Sequence, residues 1–101
     1  MHYLLFYDFT PDYVTRRTPH RNEHLALAWA AASRGELVVG GAVGDPVECG
    51  ILMFKADSPA VAERFAQADP YVRHGVVTAW RVRPWATVVG DLAANPVRPT
   101  S

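Results

Sequence analysis

The sequence predicts a single α+β domain in which a four-stranded antiparallel sheet carries two helices on one face. The chain has 101 residues, the length of one domain. Half of its residues are hydrophobic, which is enough for a packed core. Two segments begin with a hydroxyl residue followed by proline, which is typical of a helix start. Apolar segments with the composition of strands precede, separate and follow them.

The first half of the chain predicts one strand and one helix. Residues 3–7 are aromatic or aliphatic at every position and form the first strand, and residues 8–18 form a polar loop. Thr18 caps the helix that begins at Pro19, and Gly35 ends it. Four apolar positions recur at helical spacing and predict the stripe that faces the core: Leu25, Ala28, Trp29 and Ala32.

The second half predicts a strand pair, a helix and a last strand. The two strands cover residues 36–43 and 49–56, with a turn at Gly44-Asp45-Pro46 between them. Gly40 and Gly41 inside the first of these strands indicate a bulge or a close approach of another backbone. The second helix begins at Asp57-Ser58-Pro59 and ends at Asp69, and residues 75–85 form the fourth strand. Residues 86–89 either extend this strand or pair separately.

The resulting order is βαββαβ, the ferredoxin-like arrangement. Two helices cover only one face of such a sheet, yet strands one and three are apolar at successive positions. We therefore expect a homodimer in which the second faces of two copies pack together. The domain covers residues 1–90, and residues 91–101, which contain Pro96 and Pro99, are expected to form a flexible C-terminal tail.

Composition excludes several classes of function. Ten basic and ten acidic residues cancel, without a charged block that would indicate binding to nucleic acid or to a membrane surface. Cys49 is the only cysteine, which excludes an internal disulfide and a multi-cysteine metal site. The sequence contains no glycine-rich phosphate loop and no multi-ligand metal pattern, so we expect neither cofactor nor metal. The N-terminus has no basic region before its short apolar run, and we expect a cytoplasmic protein.

Asp69 is the first candidate for a functional residue. Pro70 ends the preceding helix, so the carboxylate follows a helix C-terminus, where the macrodipole disfavours negative charge. Such a group needs another partner. It is either a capping or turn aspartate, or an acid or base of a functional site. His24 borders the apolar stripe of the other helix, on the same side of the sheet. A carboxylate beside an imidazole fixes its tautomer and produces a proton carrier near neutral pH, but a purely structural pair has the same composition.

Several short motifs together resemble the YciI-like, or YCII-related, family. They are Arg21-Asn22-Glu23-His24-Leu25, Gly35-Glu36-Leu37 followed by Gly40-Gly41, Ala68-Asp69-Pro70-Tyr71-Val72, Gly75-Val76 and Arg83-Pro84-Trp85. The likeness covers roughly residues 1–90 and implies a dimeric α/β barrel whose active site contains His24 and Asp69. One kind of member is similar in role to a dehydrochlorinase of hydroxylated chloroaromatics. The chain departs from the family pattern at Gly41-Ala42, where glycine and proline are frequent.

The leading hypothesis is a cofactor-independent enzyme that performs proton transfer, elimination or isomerisation on a small cyclic or aromatic metabolite. His24 is the general acid or base, and Asp69 orients it. Arg21, Tyr7 and Tyr71 are candidate substrate-binding residues. Arg21 would bind an anion or phenolate unless it pairs with a carboxylate.

Two other functions compete with this hypothesis. One is a non-catalytic ligand-binding or dimerisation module that uses the same pocket. The other is a cofactor-free monooxygenase of the same fold, in which Trp80, Trp85 and Tyr7 would matter more. His20, Glu23 and His24 also match the H-x-x-E-H zinc pattern, although zinc proteases of that type need a larger fold and a distant third ligand.

Overall fold

The computed structural model describes residues 1–100; Ser101, the last residue of the predicted tail, lies outside the described residues. Four strands and four helices follow one another along the chain. The strands are β1 (His2–Phe9), β2 (Leu37–Val43), β3 (Cys49–Lys55) and β4 (Val77–Trp85), and the helices are α1 (Tyr13–Arg16), α2 (Arg21–Ser33), α3 (Ala60–Ala68) and α4 (Pro70–Arg73). The sequence predicted all four strands and the two long helices. It missed α1, inside the predicted loop, and α4, directly after Asp69.

The strands form one antiparallel sheet in the order β2-β3-β1-β4. β1 lies in the centre, where Leu5 is opposite Leu52 of β3 and Val82 of β4. This order confirms the ferredoxin-like prediction. The register shifts between Leu37 and Val39 in β2, so the expected irregularity lies just before the glycine pair. Gly40 makes the close approach, because a Cβ atom there would lie 3.1 Å from Cγ of Leu52.

The start of α2 differs from the prediction. Residues Thr18–His20 form a 3-10 turn that leads into the helix, and Thr18 makes no capping hydrogen bond. Its hydroxyl donates instead to the carbonyl of Val14, at 3.3 Å. The second predicted start is closer to expectation, because Ser58 Oγ accepts a hydrogen bond from the backbone N–H of Ala60 at 3.3 Å. Gly35 follows α2 with a φ of +79°, the left-handed conformation that ends many helices.

The core lies between the helices and one face of the sheet. Its largest fully buried apolar side chains include Tyr7, Phe54 and Leu5. The predicted stripe of α2 was wrong at two of its positions, since Leu25 is 37% exposed and Trp29 is 71% exposed. Ala31 is the buried residue of this helix, and Leu27, Ala28 and Ala32 pack partly against the core. Alanines thus form most of the buried side of α2, while Leu25 and Trp29 lie outward.

The other face of the sheet is apolar at its centre and charged towards β4. Leu4, Phe6 and Ile51 are half-buried there, while the guanidinium of Arg81 lies 4.5 Å from the ring centre of Phe6. Leu52 and Phe54 belong to the buried core on the helix side, because the side chains of β3 alternate and Ile51 lies on the open side.

Residues 86–89 do not extend β4 as a strand. Their carbonyls accept hydrogen bonds from the tail, from Asn95 N to Thr87 O at 3.1 Å and from Val97 N to Val88 O at 2.8 Å. The Thr87 hydroxyl also lies 2.6 Å from Nδ1 of His2, a buried contact that links this segment to β1. Within residues 1–100, no helix has the length and apolar character needed to cross a bilayer.

Candidate active site

Asp69 joins α3 to α4 and is completely buried. Its backbone is extended, with φ −69° and ψ 123°, as the following proline requires. Its side chain accepts a hydrogen bond from the backbone N–H of Tyr71 at 3.0 Å and therefore caps α4. The short helix α4 explains why a carboxylate is tolerated at the end of α3. Asp69 also lies at the N-terminus of α4, where negative charge is favoured.

His24 of α2 is the second partner of this carboxylate. Its Nδ1 lies 2.9 Å from both oxygens of Asp69, and its side chain is 15% exposed. An ionised carboxylate only accepts hydrogen bonds, so the neutral imidazole carries its proton on Nδ1. Nε2 is then the ring nitrogen with a free lone pair. The ring of Tyr71 stacks on the imidazole with 3.8 Å between centroids and 5° between planes, which fixes the orientation of the ring.

Tyr7 of β1 is the third donor to Asp69. Its hydroxyl donates to Oδ2 at 2.8 Å, and the side chain is 1% exposed. Burial, together with the charge of Asp69 and this hydrogen bond, raises the pKa of Tyr7 far above its usual value. Tyr7 therefore keeps its proton and donates a hydrogen bond to the carboxylate. The hydroxyl that the sequence suggested for substrate binding is thus engaged inside the protein, while the ring lies in the wall of the neighbouring cavity.

The cavity next to His24 opens between α2 and the β2 edge of the sheet and has a volume of about 450 Å³. It is lined by the side chains of the three residues that bond to Asp69, namely Tyr7, Tyr71 and His24. Apolar groups form most of the remaining wall: Phe9, Tyr13, Leu25, Ala28, Trp29, Ala32, Leu37, Val38, Val39, Ala42 and Leu52. Gly40, Gly41 and Gly50 complete the lining and leave the β2 side without bulk. The volume suits a small organic molecule.

Two arginines lie in the same wall. The sequence singled out Arg21, whereas Arg17 was missed because it falls in the segment predicted as a loop. Arg17 Nη1 donates to the hydroxyl of Tyr13 at 3.2 Å, and its guanidinium lies 5.0 Å from the centre of that ring. Within residues 1–100, neither Arg17 nor Arg21 forms a salt bridge. The expected alternative, in which Arg21 pairs with Glu23 or Asp69, is not observed in this structure.

The charges of both arginines affect the pKa of Tyr71. Burial is the main cause that raises its pKa from 10.0 to about 12, and the neighbouring Tyr13 and Asp69 act in the same direction. The positive charges of Arg21 and Arg17 oppose this rise. Both guanidinium groups therefore favour negative charge on an oxygen at this end of the cavity.

The H-x-x-E-H pattern does not form a metal centre. His20 stacks on His74, with 4.2 Å between ring centroids, while His24 is occupied by Asp69. No group of three His, Cys, Asp or Glu side chains in residues 1–100 is arranged to bind a metal ion. Trp80 and Trp85, the residues of the monooxygenase alternative, are not among the side chains that line the cavity.

Comparison with known proteins agrees with this architecture. The YCII-related domain matches residues 1–86. No curated protein gives a significant match to the chain. Among solved structures, the chain is similar to 5-chloro-2-hydroxyhydroquinone dehydrochlorinase from Burkholderia phenoliruptrix AC1100 in complex with 2,5-dihydroxybenzoquinone, with a TM-score of 0.71. The two are 22% identical, over 86% of this chain and 95% of the other. This likeness supports the ferredoxin-like fold of the dimeric α/β barrel type, and the domain match establishes that the chain belongs to the YCII-related family.

Proposed function

We propose that the protein is a small-molecule enzyme in which His24 transfers a proton through Nε2. The observation that carries this proposal is the contact of Nδ1 with both oxygens of Asp69 at 2.9 Å, on the wall of a 450 Å³ cavity. Asp69 holds the tautomer whose free nitrogen is Nε2, and it stabilises the imidazolium that forms when this nitrogen takes a proton. Proton transfer, elimination and isomerisation are the reactions that such a group catalyses without further chemistry from the protein.

Tyr7 and Tyr71 act on the substrate through this pair. Tyr7 donates to Oδ2 of Asp69 and Tyr71 donates through its backbone to Oδ1, so three hydrogen bonds fix the carboxylate inside the protein. The Tyr71 ring also packs flat on the imidazole. We assign both tyrosines as positioning residues, and their rings as part of the surface that a substrate would contact.

The substrate we propose is a small cyclic or aromatic metabolite. The cavity has aromatic walls, and the structural relative is named for the removal of HCl from a chlorinated hydroxyhydroquinone. In an elimination of this type a proton passes to the base, and chloride leaves with the bonding electrons. His24 Nε2 is suited to the first of these steps. The fold alone does not determine the chemistry, so the proposed reaction class rests on the His24–Asp69 pair beside the cavity, and the substrate is to be found by experiment.

A direct test uses a panel of hydroxylated aromatics and cyclic ketones that includes 5-chloro-2-hydroxyhydroquinone. Chloride release and the incorporation of solvent deuterium into ring C–H positions report elimination and proton transfer separately. We expect at least one compound to react, with a loss of about 10²- to 10⁴-fold in His24→Gln, the typical value of general acid–base catalysis. His20→Gln is the matched control, because His20 stacks on His74 and does not line the cavity. Binding of several compounds without any reaction would instead identify the protein as a binding module.

The assembly is the second part of the proposal. We propose that the protein is a homodimer formed through the open face of the sheet. Leu4, Phe6 and Ile51 leave a half-buried apolar surface at the centre of that face, which a second copy would cover. The surrounding charge of Arg81 and Arg83 on β4 restricts the apolar contact to β1 and β3. Cytoplasmic location remains an expectation from the sequence.

A further inference from the structure

We propose that Arg17 and Arg21 form an anion subsite, and that the substrate of this cavity is a planar aromatic anion such as a phenolate or an aryl carboxylate. This inference deepens the proposed function and rests on the same cavity. It assigns a role to Arg17, which no sequence motif indicated, and it selects ligands by charge as well as by shape.

The first argument is the balance of charge in the cavity. Within residues 1–100, the lining contains two permanent cations, Arg17 and Arg21, and no carboxylate. The carboxylate of Asp69 lies behind the wall and is already bonded to His24, Tyr7 and Tyr71. Arg17 is half-buried, and a cation partly withdrawn from water without an acidic partner is costly unless a ligand supplies the negative charge. Guanidinium groups are well suited to this role, because their planar donors match carboxylate and phenolate oxygens.

The second argument is the placement of the two arginines. Arg21 is in the first turn of α2, three residues before His24, and residues at this spacing lie on one side of a helix. Arg17 precedes the 3-10 turn and is held by its hydrogen bond to the Tyr13 hydroxyl. Both charges act on the Tyr71 hydroxyl and favour its ionised form. A ligand oxygen near Tyr71 would therefore be stabilised as an anion beside the ring that stacks on His24.

The third argument is the shape of the wall beside the arginines. Phe9 and Tyr13 stack with 3.9 Å between centroids and 17° between planes, which presents a flat aromatic surface near the arginines. The outer side carries Trp29 and Leu25, both exposed in the free protein. A planar ring would pack on these surfaces, and its anionic oxygen would reach the guanidinium groups. The wall thus supplies the contacts that an aromatic anion needs at both ends.

The probe for this inference is 4-nitrophenol, whose ionised form absorbs visible light. If the subsite prefers the anion, saturating protein lowers the pH at which half of the nitrophenol is ionised. We expect the shift to shrink in Arg17→Gln and in Arg21→Gln, with nitrophenolate binding about tenfold weaker in each, as expected for one charge-assisted hydrogen bond. The non-ionising 4-nitroanisole should bind equally to the wild type and to both variants. Arg16→Gln is the matched control, because Arg16 pairs with Asp12 outside the cavity.

A second pair of variants keeps both arginines in place. Leu25 lies four residues after Arg21 on α2, so Leu25→Glu places a carboxylate within reach of that guanidinium. This variant should lose the ionisation shift, whereas Leu25→Gln, of the same size but neutral, should keep most of it. An ionisation shift that is lost equally in both Leu25 variants would show that shape and not charge controls binding. This result would overturn the inference.

The test of the anion subsite can fail or succeed independently of the proposed catalytic role of His24. In His24→Gln the ionisation shift should persist, because the arginines carry the charge. Catalysis without any shift, or equal binding of nitrophenolate and nitroanisole, would overturn the anion subsite and leave the role of His24 intact. A shift that depends on Arg17 and Arg21, without turnover of any compound in the panel, would establish the subsite and refute the enzyme.

Discussion

Replacement of Asp69 by asparagine should invert the tautomer of His24. The carboxylate accepts from His24 Nδ1, from the Tyr7 hydroxyl and from the Tyr71 backbone. Asparagine has the same shape but offers one acceptor oxygen and one donor amide. The backbone N–H of Tyr71 keeps the oxygen at the Oδ1 position, so the amide takes the Oδ2 position, where it meets the Tyr7 hydroxyl and one of the two contacts of His24 Nδ1. A proton on Nδ1 would clash with this donor. The imidazole then accepts through Nδ1 and carries its proton on Nε2, where the proposed chemistry needs a lone pair.

The expected loss of stability in Asp69→Asn follows from the number of hydrogen bonds that change. The Asp69→Asn variant exchanges three charge-assisted hydrogen bonds, from His24, Tyr7 and the Tyr71 backbone, for neutral ones. A hydrogen bond to a charged group contributes about 1.5–3 kcal/mol and a neutral one about 0.5–1.5 kcal/mol, so we expect a total loss of roughly 3–4.5 kcal/mol. In a domain of this size that corresponds to a fall in Tm of about 12–36 °C. Activity should fall much further, by up to about 10⁴-fold, as in the serine protease triad when its aspartate becomes asparagine.

Nitrogen-15 NMR of the imidazole ring measures the tautomer without any substrate. At a pH where the ring is neutral, the wild type should show a protonated Nδ1 and a bare Nε2, and Asp69→Asn should show the reverse. Tyr7→Phe is the matched control, because it removes one donor to Asp69 but leaves the acceptor of Nδ1 unchanged. An unchanged tautomer in Asp69→Asn would refute the assignment of Asp69 as the residue that sets the state of His24.

Three further predictions concern the rest of the molecule. The raised pKa of Tyr71 means that unfolding is favoured as pH rises from 10 to about 12, since the unfolded chain loses this proton first. In an alkaline absorbance titration the Tyr71 phenol should ionise near pH 12, and later still in Arg21→Gln, whereas ionisation of Tyr71 near pH 10 in the folded protein would contradict this. Ile51→Glu should abolish the folded dimer in light scattering, whereas the control Gln67→Glu, on the outer side of α3, should not. A wild type that is a stable monomer would disprove the proposed assembly. Deletion of residues 95–101 removes the two backbone hydrogen bonds to residues 87 and 88. It should cost no more than about 1 kcal/mol in chemical denaturation, since residues 95–100 are all exposed; a larger loss would show that the tail belongs to the domain.

The sheet and its helices were predictable because each segment contains its own start and stop signals. Pro59 and Pro70 bound α3, Gly35 follows α2, and apolar segments without helical spacing separate them. The order βαββαβ then limits the topology to few arrangements. Near-continuous apolar composition in β1 and β3 predicted burial of both their faces, and these are the two central strands of the sheet. These are local or pairwise features, and a single sequence contains them.

The orientation of α2 was not predictable in the same way. Its sequence is apolar on most sides, from Leu25 through Ala32, so Leu27 and Ala31 compete with Leu25 and Trp29 for the core. Close packing on β2 decided the competition in favour of the alanines, and only the fold provides that information. The outward side became a wall of the cavity. Local periodicity therefore identified the helix but not the side that faces the core.

Asp69 and His24 were identified from the sequence, but their contact and their other partners were not. Pro70 after Asp69 indicated a carboxylate with an unusual position, and the structure shows that Asp69 caps α4 and also bonds to His24. The role of Tyr7 as a donor to Asp69 depends on a contact across 62 positions of the chain, which no local pattern reveals. Arg17 was missed for the same reason: only the folded α1 segment brings it to the cavity.

The most direct test of the central claim is a double-mutant cycle on His24 and Asp69. For a substrate identified in the panel, kcat/KM is measured for wild type, His24→Gln, Asp69→Asn and the double variant, with a thermal melt of each protein to correct for the folded fraction. If the two residues act as one unit, the double variant should be no slower than the slower single variant. Losses in kcat/KM that multiply, or single variants that keep full activity whenever they are folded, would contradict a catalytic pair.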